Sequence, residues 1–351
     1  ELFEAKQIPG RNDSGNGRLV RNLLEEAIRK QSVRIMETDS QESNKLVGSD
    51  FGIGTKAAFN LEDAFSGIIG LDNVKNFVLT LEKQLLADRR RKEAGIQTKK
   101  EQTLNMVFAG NPGTGKTTIA RLLASMLKSM GVLKKGHLVE VDRTQLVAEY
   151  VGQTAAKTTE VVESALGGVL FIDEADTLVE EGQGGFGKEA IDTLVRLIEN
   201  HRENLVVIIA GYTEEMKQFM KANPGLSSRF PLNIEFPDYT ADQLAQMTDI
   251  QAHSKGFMLE ESVSAALKPY YEQKQIPGRN DSGNGRLVRN TLEEAIRNQA
   301  IRIVEHPDLP VEQLNVLTVE DFHLQPVSME TNALNELDSV IGMDEVKQFV
   351  R

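Results

Sequence analysis

Short apolar runs alternate with longer stretches of helical periodicity through the centre of the chain. The runs cover 104–109, 139–141, 169–172 and 205–210, and a helix-like stretch separates each run from the next. Runs of this length are typical of strands buried on both faces, and the helices between them return the chain for parallel pairing. The pattern therefore predicts an α/β fold in which helices flank a parallel sheet.

The pattern changes after the breaker cluster Pro237-Asp238-Tyr239-Thr240. Residues 241–304 show helical periodicity without further strand-like runs, so a small helical domain is expected to begin here. Periodicity is weak near 38–60 and 307–333, and these two segments are interpreted as linkers.

The chain also repeats itself. Residues 6–22 and 274–290 share seventeen identical residues, and the match continues as LEEAIR at 24–29 and 292–297. A weaker echo relates 69–75 to 341–347. The simplest explanation is a tandem array with a unit of about 270 residues, of which this chain holds one full unit and parts of two others. The alternative is a terminal segment transplanted by engineering.

Composition narrows the possible classes of protein. The 351 residues carry a net charge of −12 and no cysteine, and no apolar run approaches the length of a membrane span. The acidic balance argues against a nucleic-acid binder, because phosphate backbones require clustered cationic side chains. We therefore expect a cytoplasmic protein with no nucleic-acid partner and no membrane partner.

A phosphate-binding loop follows the first apolar run. Residues 110–117 read GNPGTGKT and match GxxxxGK[ST] between a predicted strand and a predicted helix. Glycines let backbone N–H groups converge on phosphate oxygens, Lys116 supplies a positive charge, and the Thr117 hydroxyl is suited to Mg²⁺. The candidate nucleotide-contacting residues are Pro112, Gly113, Thr114, Gly115, Lys116, Thr117 and Thr118.

Two carboxylates end the third apolar run, at Asp173 and Glu174. Nucleotide sites of open α/β sheets form at the carboxyl ends of the strands. We expect Asp173 to hold Mg²⁺, directly or through water, and Glu174 to polarise the water that attacks the γ-phosphate.

Six ordered strings carry a family resemblance: GNPGTGKTTIAR, EYVGQTAAKT, GGVLFIDEAD, VIIAGYTEEM, NPGLSSRF and NGRLVRN. With them, the chain resembles AAA+ ATPases, most closely the family of red-type Rubisco activase (CbbX) and stage V sporulation protein K. The resemblance implies an α/β P-loop NTPase sheet, the AAA+ large subdomain, followed by a small all-α lid. It also implies ATP and Mg²⁺ as cofactors.

The resemblance and the repeat together predict a domain organisation. We expect an ATPase subdomain and its lid, linkers on both sides, and partial modules at the two ends. The predicted segments are 1–37 (the last part of a preceding lid), 38–64 (linker), 65–237 (ATPase), 238–305 (lid), 306–337 (linker) and 338–351 (the start of a following module).

The resemblance also assigns roles outside the loop and the acid pair. Ile69 and Gly70 match the segment that contacts adenine. Arg229 matches the arginine finger, which reaches the γ-phosphate bound by a neighbouring subunit. Arg286 matches the lid arginine called sensor 2, although Arg289, one helical turn on, is an alternative.

Two loops and one sensor complete the implied set. Tyr150-Val151-Gly152 resembles the pore loop that grips a polypeptide, and the glycine-rich segment 182–187, with Phe186 at its tip, resembles a second one. Sensor 1 departs from the family pattern, because its position falls on Tyr212 or Thr213 and the sequence does not choose between them.

The expected function is that of an ATP hydrolase whose modules, in cis or in trans, form a hexameric ring that remodels or threads a protein client. The alternative is a nucleotide-switched scaffold that assembles without moving a client through a pore. A nucleic-acid motor is a third reading, which the acidic balance disfavours.

Overall fold

The computed structural model describes residues 16–38, 45–48, 50–51, 59–96, 103–179, 186–275, 278 and 283–324. The chain forms two compact units, divided between Asp238 and Tyr239. The division lies at the predicted breaker cluster, where Thr240 caps the first helix of the second unit. The Thr240 hydroxyl accepts from the Gln243 N–H at 3.3 Å, and the Gln243 side chain accepts from the Thr240 N–H at 2.9 Å. This reciprocal capping box fixes where the helix begins.

The first unit alternates helices and strands over its described residues. Its helices are α1 (Asn16–Thr38), α2 (Leu61–Phe65), α3 (Asp72–Glu93), α4 (Lys116–Ser129), α5 (Arg143–Leu146), α6 (Thr154–Ser164), α7 (Phe186–Asn200), α8 (Thr213–Ala222) and α9 (Pro224–Ser227). Its strands are β1 (Met106–Gly110), β2 (Leu138–Val141), β3 (Val169–Ile172), β4 (Val206–Gly211) and β5 (Leu232–Phe236).

These strands form one parallel sheet in the order β2-β3-β4-β1-β5. Every residue of β3 and β4 is buried, as expected for central strands covered on both faces. The predicted α/β fold with a parallel sheet is therefore confirmed. All five strands run the same way, so the loops after their carboxyl ends lie along one edge of the sheet.

The apolar runs did not predict β5. Asn233 and Glu235 are exposed while Ile234 and Phe236 are buried, so the strand alternates polar and apolar residues at the edge of the sheet. It pairs with β1, from Met106 opposite Leu232 to Gly110 opposite Phe236.

The second unit is the helical lid. It contains α10 (Ala241–Ser254), α11 (Glu261–Lys274) and α12 (Asn284–Glu305), and a two-residue parallel ladder joins β6 (Met258–Leu259) to β7 (Val316–Leu317). Strand β7 lies within 306–337, the segment predicted as a linker, and pairs there with β6. The carboxylate of Asp321 is buried and accepts from Arg302 Nε at 2.9 Å and from Arg302 Nη2 at 2.8 Å.

The repeated sequence forms the same local structure in α1. Arg34 Nε donates to Asp50 at 2.9 Å, as Arg302 does to Asp321, and the Val47 N–H donates to the same carboxylate at 2.8 Å. The matching apolar residues of α1 and α12 differ in solvent exposure, however. Val20 and Leu24 are 49% and 45% exposed, whereas the matching Val288 and Leu292 of the lid are both 0% exposed.

Candidate functional site

The phosphate loop connects β1 to the first residue of α4. Gly113 and Gly115 have φ angles of 76° and 95°, which residues with a Cβ rarely adopt, so the loop needs glycine at both positions. The Thr114 hydroxyl donates to the Asn111 carbonyl at 2.7 Å, and the Asn111 amide donates to both carboxylate oxygens of Asp238 at 3.0 Å. These bonds tie the loop to Asp238, two residues beyond the end of β5.

Lys116 begins α4 and is largely buried. Its ammonium group donates to the Gly110 carbonyl at 2.7 Å and to the Asn111 carbonyl at 3.0 Å, so its charge lies inside the loop. A buried ammonium beside the positive end of a 14-residue helix suits an anionic ligand. Pro112 also lies in this loop, and Thr118 is exposed on the first turn of α4.

The acid pair lies at the same edge of the sheet, after β3. The Asp173 N–H continues the ladder by donating to the Val141 carbonyl at 2.8 Å, and Asp173 Oδ1 accepts from the Glu174 N–H at 3.1 Å. Glu174 has a φ of 50°, and its side chain is exposed. A left-handed non-glycine residue costs free energy and is common at functional sites, which agrees with the predicted role of Glu174.

Oxygen donors suited to Mg²⁺ flank the loop. The Thr117 hydroxyl contacts Glu140 Oε1 at 3.4 Å, and Arg121 pairs with the other oxygen of that carboxylate at 3.1 Å. A hydroxyl and carboxylates are ligands that Mg²⁺ prefers, so Thr117 with Asp173 fits the ion. Among the described residues, this site included, no group of three or more His, Asp or Glu side chains could hold a metal ion.

The segment matched to a pore loop lies between α5 and α6. Tyr150 is 68% exposed and Val151 is 86% exposed, so neither side chain belongs to the core. Gly152 has a φ of 79°, and a Cβ added there would meet no atom within 4 Å. Large apolar side chains held in solvent on a glycine turn are available to a partner.

The candidate arginine finger follows α9. The Arg229 side chain is 26% exposed, and its Nη1 donates to the Gly225 carbonyl at 3.0 Å and to the Ser228 hydroxyl at 3.3 Å. Its Nη2 pairs with Glu199 at 3.4 Å. These partners lie at the end of α7 and around α9, and none of them belongs to the phosphate loop of the same chain.

Ile69 and Gly70 precede α3, half-buried. Gly70 and Leu71 have φ angles of 59° and 55°, and the Lys75 ammonium donates to the Ile68 carbonyl. The two residues of left-handed backbone bend the chain sharply where α3 begins. No nucleotide contact of this segment follows from the geometry alone, so its role as an adenine contact stays a prediction.

The two lid arginines are both exposed on the first turns of α12, so burial does not choose between Arg286 and Arg289. Tyr212 caps α8 directly after β4 and Thr213 begins that helix, so sensor 1 also stays open. Phe186 begins α7 half-buried, and residues 182–185 lie outside the described part of the chain.

The sequence patterns missed two buried asparagines. Asn284, before the lid arginines, has a φ of 56°; its Oδ1 accepts from the Tyr239 N–H at 2.9 Å and from Gln275 Nε2 at 3.0 Å. Asn105, before β1, bonds to the backbone of Arg229 and of Val207. Both look like ordinary loop residues in the sequence, and their roles depend on partners far along the chain.

Two family patterns match the chain. The pattern described as "ATPase family associated with various cellular activities (AAA)" matches residues 106–238, and the "AAA lid domain" pattern matches residues 1–60 and 240–332. The lid pattern therefore matches both copies of the repeat. Among the helices that the structure describes, none has the length and apolarity needed to cross a membrane.

Similar proteins agree with these patterns. Stage V sporulation protein K of Bacillus subtilis is 42% identical over 70% of this chain and 76% of its own length. The chloroplastic ribulose bisphosphate carboxylase/oxygenase activase of Cyanidioschyzon merolae is 38% identical over 74% of this chain and 88% of its own length. The crystal structure of the FIGL-1 AAA domain in complex with ADP is 18% identical over 78% of this chain and 88% of that one, with a TM-score of 0.51, which supports the fold.

Proposed function

The chain belongs to the AAA family of ATP-hydrolysing P-loop enzymes, as its resemblance to stage V sporulation protein K and Rubisco activase predicted, and on that premise we propose that it remodels a protein client through the pore of a ring. The proposed ring is a hexamer of like modules, joined in cis or in trans. The proposed client is a protein.

The proposed chemistry is hydrolysis of the ATP γ-phosphate. Lys116 and the glycine loop would bind the phosphates, and Thr117 with Asp173 would hold Mg²⁺, which when bound would neutralise charge on the phosphate oxygens. The Glu174 carboxylate orients the attacking water. Ile69 and Gly70 would contact adenine, and Arg286 of the lid would contact the nucleotide in the same module.

The proposed site is completed by a neighbour. The guanidinium partners of Arg229 lie away from its own phosphate loop, which supports a role at the adjacent module. Arginine fingers contribute roughly 10³–10⁵ in rate in other NTPases. On this proposal, a single module holds only part of an active site, and hydrolysis depends on assembly.

The observation that carries the proposal is the exposed pair Tyr150 and Val151 on a glycine turn within an AAA ATPase. A flat aromatic ring packs against many kinds of side chain, which suits a grip that does not depend on sequence. A loop used only to bind nucleotide gives no reason to hold two large apolar side chains in water.

The test separates ATP hydrolysis from mechanical work. Wild-type protein, Tyr150→Ala and a control, Ile96→Ala, are compared for ATP hydrolysis and for ATP-dependent unfolding of a fluorescent test protein. Ile96 is 56% exposed but lies outside the loop. We expect Tyr150→Ala to lose most of the unfolding per ATP hydrolysed, and Ile96→Ala to retain it.

The second candidate function is a nucleotide-switched scaffold, favoured by the match of the lid pattern to two parts of the chain. Covalently linked modules need not form a uniform ring. A scaffold predicts that Tyr150→Ala leaves client behaviour unchanged while ATP hydrolysis continues, and that result would overturn the threading proposal.

A further inference from the structure

One buried polar side chain in the ATPase unit has no role in the chemistry proposed above. Asn105 is only 3% exposed and lies directly before β1, between the sheet and the loop that carries Arg229. Its amide nitrogen donates to the Arg229 carbonyl at 3.1 Å, and its amide oxygen accepts from the Val207 N–H at 2.8 Å. The two partners are 124 and 102 residues away in sequence.

The identity of the partners fixes the orientation of the amide. The Arg229 carbonyl can only accept and the Val207 N–H can only donate, so one orientation of the Asn105 side chain satisfies both. Neither an apolar side chain nor a carboxylate of similar size can make the pair. The bond to Val207 anchors Asn105 to the fully buried strand β4. The bond to the Arg229 carbonyl connects the backbone of the finger to the same strand.

The tip of the finger has partners of its own. Nη1 of Arg229 donates to the Gly225 carbonyl at 3.0 Å and to the Ser228 hydroxyl at 3.3 Å. Nη2 pairs with Glu199, which is 52% exposed, across 3.4 Å, and exposed ion pairs contribute little. The next residue, Phe230, is 1% exposed and anchors the chain on its other side. The Arg229 N–H donates to the Leu226 carbonyl at 2.8 Å, and the Asn105 amide holds the Arg229 carbonyl. To reach a neighbouring module, the guanidinium has to leave Gly225, Ser228 and Glu199.

We propose that Asn105 is a positioning residue for the arginine finger. It fixes the position of the Arg229 backbone relative to the sheet, and from that position the side chain reaches the nucleotide of a neighbouring module. This inference rests on the proposed role of Arg229 in trans. In addition, a residue directly before β1 determines the position of the finger, and this residue belongs to the module that donates the finger. A misplacement of about 1 Å in a catalytic group can cost on the order of 100-fold in rate, so one amide is sufficient to matter.

The test uses mixed assemblies in which each module has one intact half of a site. Arg229→Ala modules keep the phosphate loop and accept a finger, and Lys116→Ala modules keep the finger and donate it. Mixed in equal amounts, the two inactive proteins should recover ATP hydrolysis. Asn105→Leu is then placed either in the donor or in the acceptor, and the two mixtures are compared.

We expect Asn105→Leu in the donor to lower the recovered kcat by roughly tenfold or more with KM little changed, because a finger acts on the transition state. The same substitution in the acceptor should leave the recovered rate within about twofold of the unsubstituted mixture. Recovery in the acceptor mixture also shows that a module with Asn105→Leu folds and assembles.

Asn105→Asp isolates the bond to Arg229. Its carboxylate can still accept from the Val207 N–H, but it places an oxygen against the Arg229 carbonyl. Where that carboxyl is ionised it should reproduce the donor-specific loss, and the loss should shrink at lower pH, because a protonated carboxyl donates to the Arg229 carbonyl as the amide does. The cost of burying a charge acts on donor and acceptor modules alike, so it does not by itself produce an asymmetry.

Two other outcomes would contradict either the role of Asn105 or the role of Arg229 in trans. Equal losses in donor and acceptor, or a loss confined to the acceptor, overturn the role of Asn105 and leave the finger proposal standing. If the parent mixture of Arg229→Ala and Lys116→Ala recovers no hydrolysis although the two proteins co-assemble by mass measurement, then Arg229 does not act in trans and both proposals fail.

Discussion

At the scale of single residues, Glu174 combines an exposed carboxylate with a left-handed backbone. Its φ is 50°, and its carbonyl accepts from both the N–H and the hydroxyl of Thr177, at 3.0 Å and 2.6 Å. These bonds hold the turn after β3, so the unfavourable backbone persists in the folded state. Placing a side chain in such a conformation costs on the order of 1–3 kcal/mol.

Two substitutions at Glu174 separate its backbone from its chemistry. Glu174→Ala and Glu174→Gly both remove the carboxylate, and both should abolish most ATP hydrolysis. Only glycine relieves the left-handed strain, so we expect Glu174→Gly to exceed Glu174→Ala in free energy of unfolding by roughly 1 kcal/mol, measured by denaturant titration. Equal stability of the two variants would show that the turn carries no strain.

The candidate catalytic side chains could be predicted from the sequence, whereas the residues that support them could not. Lys116, Asp173 and Glu174 stand in short motifs whose spacing is set by local backbone geometry, and the structure places them at one edge of the sheet. Asn105 and Asn284 act through partners distant in the chain. No local spacing encodes such contacts, and only the tertiary fold brings them together.

At the scale of elements, the repeat places one helix sequence in two environments. In the lid, Leu292 of α12 is fully buried in a unit where α12 packs with α10, whereas the matching Leu24 of α1 is 45% exposed. The same five residues, EEAIR, follow each leucine, although Leu23 precedes one and Thr291 the other. A difference in the cost of truncation therefore reports mainly packing.

The paired substitutions Leu24→Ala and Leu292→Ala test this difference. Leu292→Ala should lower the free energy of unfolding by about 2–5 kcal/mol, the range for a fully buried leucine. Leu24→Ala should cost less than about 1 kcal/mol, because its side chain already meets solvent. Comparable losses, measured by denaturant titration of each variant, would mean that α1 is covered in solution as α12 is.

The strands show which elements the pattern of apolar residues can predict and which it cannot. Central strands β3 and β4 are uniformly buried, so their apolar runs are visible in sequence. The edge strand β5 mixes polar and apolar residues and β7 is only two residues long, and they form because β1 and β6 offer a neighbouring ladder. Strand β7 stays on the lid through the Arg302–Asp321 pair, which the repeat preserves as Arg34–Asp50.

At the scale of the whole molecule, buried tyrosines in the second unit predict that the two units respond differently to alkaline pH. Burial raises the pKa of Tyr239 to about 12 and that of Tyr271 to about 12, and both residues belong to the lid unit. The hydroxyl of Tyr271 shares a hydrogen bond with the Thr248 hydroxyl at 2.6 Å, which offsets part of the effect of burial on its pKa.

The sign of the effect follows from proton binding. A tyrosine hydroxyl in water has a pKa of 10.0, so above pH 10 the unfolded chain releases these two protons while the folded lid keeps them until about pH 12. Their contribution to stability is complete below pH 10. It falls by up to roughly 1.4 kcal/mol per pH unit for each tyrosine between pH 10 and 12.

We therefore expect alkaline unfolding to begin in the lid while the ATPase unit remains folded. Hydrogen exchange across about pH 9 to 12 should show protection lost first in 239–324, and tyrosine absorbance should show two groups that ionise only as the lid opens. Tyr271→Phe, which removes one of the two protons, should make the lid's loss of stability with pH about half as steep. Simultaneous loss of protection in both units would show instead that the ATPase unit cannot stay folded without its lid.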